Sequence, residues 1–279
     1  MNRLLQIARK DFRDAARDRE LYVGGTLFLL IGLAVGYLVG NSAGSVDAAA
    51  VPFGTLAGLT FVASLAAITL SYNQIVGKRT SGELRVLLSL PFSRTEVVYG
   101  TFLGRWALIS AMSLVTIVIA TVLATVMGAP VAFDLALGTV GIALTLGAVF
   151  VSLSVGLSAS SVNTARAAAG AFGLFILFLF RLWEAAPIAV RYVLNGFSMP
   201  SGQQPAWAAA WGQLQPIAAL RNAVVETVPD LVPALSTYAP GIPESQPVYT
   251  EPWFGALVVL AWIVLPVTVG YLKLRGADL

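Results

Sequence analysis

The chain has 279 residues, 57% of them hydrophobic and 11% charged, with a mean hydropathy of +0.81 and a formal net charge of +3. Soluble domains carry about 25% charged residues, so too little polar surface is present to cover a water-soluble globule, and the composition belongs to the membrane class. There is no Cys and no His, which excludes disulfides, thiol nucleophiles, imidazole bases and metal sites built on those ligands.

Residues 1–20 carry six basic residues: Arg3, Arg9, Lys10, Arg13, Arg17 and Arg19. Leu5, Ala8, Phe12, Ala15 and Ala16 recur at helical spacing, and Arg9, Arg13 and Arg17 run along the flank of that stripe. The pattern predicts an interfacial helix on the inner leaflet with its arginines among anionic headgroups. The alternative is a cytoplasmic helix packed on protein.

Six apolar runs follow, at 21–40, 53–72, 106–127, 135–157, 167–183 and 253–272, each near the ~20 residues that a spanning helix needs. Lipid offers backbone groups no partner, so helices are expected. The first run is read as a span and not a cleavable leader, because it follows a charged segment and five more runs come after it.

The connectors alternate in basic content. Residues 41–52 and 128–134 hold none, 73–105 holds Lys78, Arg79, Arg85, Arg94 and Arg105, and 158–166 holds Arg166. The long segment 184–252 holds only Arg191 and Arg221, and the tail holds Lys273 and Arg275. Six spans with both termini cytoplasmic satisfy this asymmetry, in a multi-pass protein of the plasma membrane. It also accounts for the sequence pI near 9.3 without nucleic acid.

In the first two spans Gly32, Gly36 and Gly40, and Gly54 and Gly58, form small-xxx-small steps. Such steps let helix backbones approach closely, within the bundle or across a subunit interface.

The connector 73–105 is strongly punctuated. Thr80-Ser81-Gly82-Glu83 and Ser93-Arg94-Thr95-Glu96 both fit a capping box, with Pro91 between them as a stop. A short amphipathic helix with an apolar face of Leu84, Leu87 and Leu88 is expected, then a break, then a helix entering the membrane.

At the end of the fifth run Arg181 and Glu184 stand three apart, a spacing that pairs them on one helical face. The segment 184–252 holds an amphipathic stretch, 207–228, interrupted by Pro216. It is too long for a bare connector, so a folded extracytoplasmic cap is expected. Trp207 and Trp211 are expected at the outer membrane surface.

Gly77-Lys78 fails as a phosphate loop, because Tyr72 occupies the first glycine position and Arg79 follows the Lys. Any ATPase would be a separate polypeptide. The spans lack the chain of ionisable residues that ion-coupled carriers use, and no catalytic constellation or metal site is expected.

The stretch Gly77-Lys78-Arg79-Thr80-Ser81-Gly82-Glu83-Leu84-Arg85-Val86-Leu87-Leu88-Ser89-Leu90-Pro91-Phe92-Ser93-Arg94 resembles the connector after the second span in ABC-2 type permeases, the membrane subunits of one class of ATP-binding-cassette transporters. Gly82, Leu87-Leu88, Ser89, Pro91, Ser93-Arg94 and Gly100 match. Lys78-Arg79 and Thr101 depart from that pattern. The charged N-terminal helix, the six spans and the large outer segment with Gln215-Pro216 and Arg221 extend the resemblance over the whole chain. In length and layout it is most similar to the permease of the copper-processing system of nitrous-oxide reductase maturation.

The resemblance implies an all-α membrane protein forming a single transmembrane domain over 1–279. It would have an interfacial helix (1–20), a cytoplasmic coupling connector (73–105) and an extracytoplasmic segment (184–252). Two copies would pair with two ABC ATPase subunits, which carry ATP and Mg; this chain itself would hold no cofactor. The helix over 83–90 would be the coupling helix seated in an ATPase groove, with Leu84, Leu87, Leu88 and Leu90 as apolar contacts and Glu83, Arg85 and Arg94 fixing register. Alternating access, in the direction of export, would follow. A membrane anchor or assembly factor and an ion-coupled carrier are the competing readings.

Overall fold

The computed structural model describes residues 3–17, 19–199, 204–243 and 247–277, with backbone alone at 19, 20 and 23. Residues 1, 2 and 18 of the expected N-terminal helix, and 200–203 and 244–246 of the outer segment, lie outside the described residues. The described chain is all-α, without a strand.

Five helices are long and apolar enough to cross a membrane. These are α2 (Arg19–Asn41), α3 (Ala50–Ser71), α6 (Arg94–Val126), α7 (Phe133–Ser160) and α13 (Pro252–Arg275). Before and between them lie α1 (Arg3–Ala15), α4 (Gln74–Thr80) and α5 (Glu83–Ser89). The sixth span is different in kind. α8 (Thr164–Leu179) stops short, and the chain turns through 84° into a 3-10 turn and α9 (Ala185–Leu194). The outer segment continues as α10 (Ala206–Gln213), α11 (Pro216–Val224) and α12 (Val232–Ser236) before α13.

The uninterrupted helix expected over 167–183 is therefore corrected. Arg181 adopts a left-handed conformation, φ 58°, which ends the helical ladder. Pro187 has no N–H to offer the Trp183 carbonyl four residues back. Trp211 supplies that donor instead: its indole N–H donates to Trp183 O at 2.9 Å, and the Trp183 indole donates to Trp211 O at 2.8 Å. The two rings stack at 4.4 Å. Trp211 is thus an internal clasp between α10 and the turn after α8, while Trp207 is exposed. The expected break at Pro216 is present, with Pro216 as the first residue of α11 and the Gln215 side chain accepting from the Ile217 N–H.

With 33 residues, α6 is about 50 Å long, well beyond the ~30 Å of a hydrocarbon core. Its first turns pack against α1 on one side and against α13 on another, where Tyr99 meets Thr268 and Tyr271. A side chain at Gly100 would strike Ile7, and one at Gly104 would meet Ala8 O at 2.7 Å and Asp11 Cβ at 2.9 Å. The buried face of α1 is Ile7, Asp11 and Ala15, and Leu5 is 55% exposed. The expected stripe is thus rotated: the packed face is turned to protein, and Arg9, Arg13 and Arg17 are exposed on the rest of the helix.

The glycine steps are used inside the chain. Gly32, Gly36 and Gly40 lie against α6, with ideal Cβ positions 2.9 Å from Thr116 O, 2.9 Å from Ala120 O and 2.7 Å from Met127 Cβ. Gly54 and Gly58 lie against Val35 and Ile31 of α2. Of the two alternatives for these glycines, the structure shows packing within the bundle. A second close crossing, Gly156 of α7 against Gly270 of α13, sits beside Pro266. Several buried hydroxyls in the spans return to carbonyls four residues back, as with Thr55, Thr60 and Ser64.

Candidate functional site

The connector between α3 and α6 is built from three breaks. Asn73 separates α3 from α4, and Gly82, at φ 80°, separates α4 from α5. Leu90-Pro91-Phe92 separates α5 from α6. The capping box expected at Thr80–Glu83 does not form. Thr80 belongs to α4 and returns its hydroxyl to Gly77 O. The N-cap of α5 is Gly82, without a side-chain bond. The left-handed turn is open to glycine at little cost, and it points α5 away from α4. The second capping box does form: the Ser93 side chain accepts from the Glu96 N–H at 3.2 Å, and the Ser93 N–H donates to Glu96 Oε2 at 2.7 Å.

The short helix α5 faces the opposite way from the expectation. Leu84 is fully buried, and Leu87 and Leu88 are half-buried in the chain's own apolar core. Seven residues make about two turns, and the leucine face is consumed by the bundle. The outward face is Glu83, Arg85, Val86, Ser89 and Leu90, with Val86 67% and Leu90 51% exposed. Arg94 is not on this rim. Its guanidinium donates to Leu274 O, Arg275 O and Ala277 O at 2.6–2.9 Å, so it caps the end of α13, where carbonyls lack helical partners.

Beneath the connector lies an ionic cluster. Asp11 of α1 and Arg105 of α6 are 4% and 5% exposed, and Arg105 Nε donates to Asp11 Oδ2 at 2.8 Å. Lys78 of α4 stands 3.8 Å from the other carboxylate oxygen. Burial pushes the Asp11 carboxyl above its ordinary value, while Arg105 and Lys78 pull it back. The N-terminus of α4 is held from another side, as Ser158 Oγ of α7 accepts the N–H groups of Ile75 and Val76 at 3.0 and 3.1 Å. The connector is thereby tied to α1, α6 and α7 through specific polar contacts.

Sequence reasoning named Lys78 and Arg105 as connector charges but missed their partner. The available signal was Asp11 at the i+4 position between Ile7 and Ala15, a carboxylate inside an apolar face. Such a group needs a cationic partner.

The outer segment holds a second buried polar cluster. Arg221 of α11 is 1% exposed. Its guanidinium donates to Gln213 Oε1 at 2.8 Å, to Asn222 Oδ1 and to Pro240 O. Burial pushes its pKa down to about 10. Gln215 Nε2 donates to Tyr238 O. This cluster joins α10, α11 and the strap after α12, and above it opens a cavity of about 560 Å³ lined in part by Glu184, Gln213 and Gly241. Arg181 and Glu184 pair as expected, at 2.7 and 3.0 Å, but across the break and not along one helical face.

The chain is thus a polytopic α-helical bundle in which one short connector is tied to α1 and to the third and fourth spans, α6 and α7. Residues 5–279 match the family model described as ABC-2 family transporter protein. The chain belongs to that family, and so to the ABC transporter membrane subunits. It is 31% identical over 211 residues to the probable ABC transporter permease protein NosY of Pseudomonas aeruginosa, covering 70% of this chain and 73% of that one. It is also 31% identical over 118 residues to the protein of the same name from Stutzerimonas stutzeri, covering 41% and 43%.

Proposed function

We propose that this single-domain permease, over 1–279, works as a homodimer with two copies of a separate ATPase, and that ATP and Mg are bound there and not in this chain. The asymmetry of the basic connectors supports a cytoplasmic side for α1, α4, α5 and both termini, in a plasma-membrane protein. The segment 184–252 then forms an extracytoplasmic cap. ATPase closure pushes α5, and the push passes through α4 to α6 by way of the Asp11–Arg105–Lys78 cluster. Tilting of α6 against its neighbours changes the side to which the path opens, in the direction of export.

The observation that carries this reading is the split character of α5. One face is sealed into the bundle through Leu84. The other presents exposed Val86 and Leu90 alongside Glu83 and Arg85, a mix of apolar and charged groups suited to a groove. Leu87 and Leu88 support the helix from behind. Copurification with the ATPase tests it. Val86→Asp and Leu90→Asp should abolish copurification and leave the unfolding midpoint near wild type. Leu84→Asp should lower that midpoint. Retention of the ATPase by both outward-face variants refutes the docking face.

A further inference from the structure

The helix α9 leaves the end of α8 as an arm that the rest of the chain does not cover. Among its ten residues only Pro187 is buried and only Arg191 half-buried. Val190 and Leu194 are 49% and 77% exposed. At 3.6 residues per turn, the exposed positions sweep about 240° of the helix circumference, from Ile188 round to Leu194. All of them carry apolar or aromatic side chains, and Pro187 and Arg191 share the remaining side. The root of the arm is held by the Trp183–Trp211 clasp, and Arg181 and Glu184 neutralise each other there.

The depth of the arm follows from the length of α8. Its start lies on the connector side of the bundle, where Arg79 of α4 donates to Ser161 O at 3.5 Å, so it runs towards the opposite face. With 16 residues, α8 is about 24 Å long, against about 30 Å of hydrocarbon. The exposed Arg166 in its first turn belongs at headgroup level. α8 therefore ends about 6 Å inside the far boundary, and any tilt deepens the shortfall. Ile176 and Phe180, one turn apart, are exposed on this span and so face lipid. The segment after the turn stands at 84° to α8, which directs it nearly parallel to the bilayer.

The circumference decides what covers the arm. A protein groove, on a partner or on a second copy, covers one stripe of a helix and would leave the opposite apolar flank in water. A helix apolar on nearly all sides belongs inside a core or a membrane, and hydrocarbon covers the whole sweep at once. Arg191 has a long stem on which its charge reaches the headgroups. We propose that α9 is an in-plane arm embedded in the acyl region of the leaflet away from the α4–α5 connector, just beneath the headgroups. The placement holds whichever face is cytoplasmic, and it rests on neither the ATPase nor the direction of transport.

The chain contains no Cys, so one introduced thiol carries one nitroxide spin label. Ile188→Cys and Val190→Cys place the label on opposite flanks of the arm, about 160° apart. The full chain is reconstituted in vesicles of equimolar phosphatidylglycerol and phosphatidylcholine. Collision of the label with oxygen, which partitions into hydrocarbon, is compared with collision with a water-soluble nickel chelate. Leu257→Cys, exposed near the start of α13, is the lipid reference. Both flanks should favour oxygen over nickel, by a ratio within about threefold of that reference. Unfolding midpoints should match wild type, because both side chains are exposed. Should either midpoint fall, Tyr192→Cys and Leu194→Cys, also about 160° apart, replace the pair. Nickel access at either flank overturns the proposal. Exclusion of both reagents at either flank also overturns it, and dipolar broadening between labels then assigns the arm to a second copy of the chain.

Discussion

Replacing Asp11 with Ala removes the only carboxylate that meets the Arg105 guanidinium among the described ion pairs. Arg105 is 5% exposed, so it cannot recover hydration without moving α1 or α6. Breaking a buried pair by removing one partner costs about 3–5 kcal/mol, because an uncompensated charge stays buried. Lys78 is more exposed and sits at 3.8 Å, so its share is small, about 0–1 kcal/mol. The expected loss is therefore ~3–5 kcal/mol, measured as unfolding free energy in mixed micelles of rising denaturing-detergent fraction. Removing both charges tests the cause. The pair Asp11→Ala/Arg105→Met leaves no orphaned ion, and an apolar replacement of a buried pair is often neutral, so stability should return to within about 1 kcal/mol of wild type. Stimulation of the ATPase by the permease should stay low in the double variant, since α1, α4 and α6 are no longer keyed together. A single variant as stable as wild type refutes the energetic reasoning. A double variant with full stimulation refutes the transmission role.

Gly36→Val would drive a side chain into Ala120 O and Leu123 at 2.9 Å; a loss of about 1–3 kcal/mol is expected in the same assay. Arg221→Ala leaves the Asn222 and Pro240 oxygens without the guanidinium, while Gln213 Oε1 keeps the Asn222 amide donor; this should cost about 1–3 kcal/mol and speed limited proteolysis within 184–252, and an unchanged cleavage rate counts against a structural role. Ser93→Ala should cost about 1 kcal/mol by loss of the capping box. The pH dependence has a defined sign. The folded state raises the Asp11 pKa above the ordinary 3.8, so it holds this proton to higher pH than the unfolded chain. The stability that this residue contributes is greatest below the ordinary value and declines as pH rises through the raised one. The stability of wild type minus that of Asp11→Asn should fall across that window; a rise would show that ion pairing outweighs burial.

Hydropathy alone set the helical class and the approximate places of the spans, because lipid forces every backbone polar group to be satisfied within its own segment. Local chemistry placed the Ser93 cap, the stop at Pro91 and the start of α11 at Pro216, since each depends on neighbours a few residues away. Other features depended on partners far along the chain. The leucines of α5 carry the same amphipathic signature whether they face a foreign groove or their own bundle, and only packing decided for the bundle. The break after α8 required Trp211, 28 residues from the Trp183 carbonyl, to replace the N–H that Pro187 lacks. Asp11 looked like one more charge on a charged helix until folding brought Arg105 and Lys78 to it from two other helices. Periodicity reports how a segment partitions between apolar and polar surroundings; which surface supplies those surroundings is a long-range property fixed only when the helices assemble.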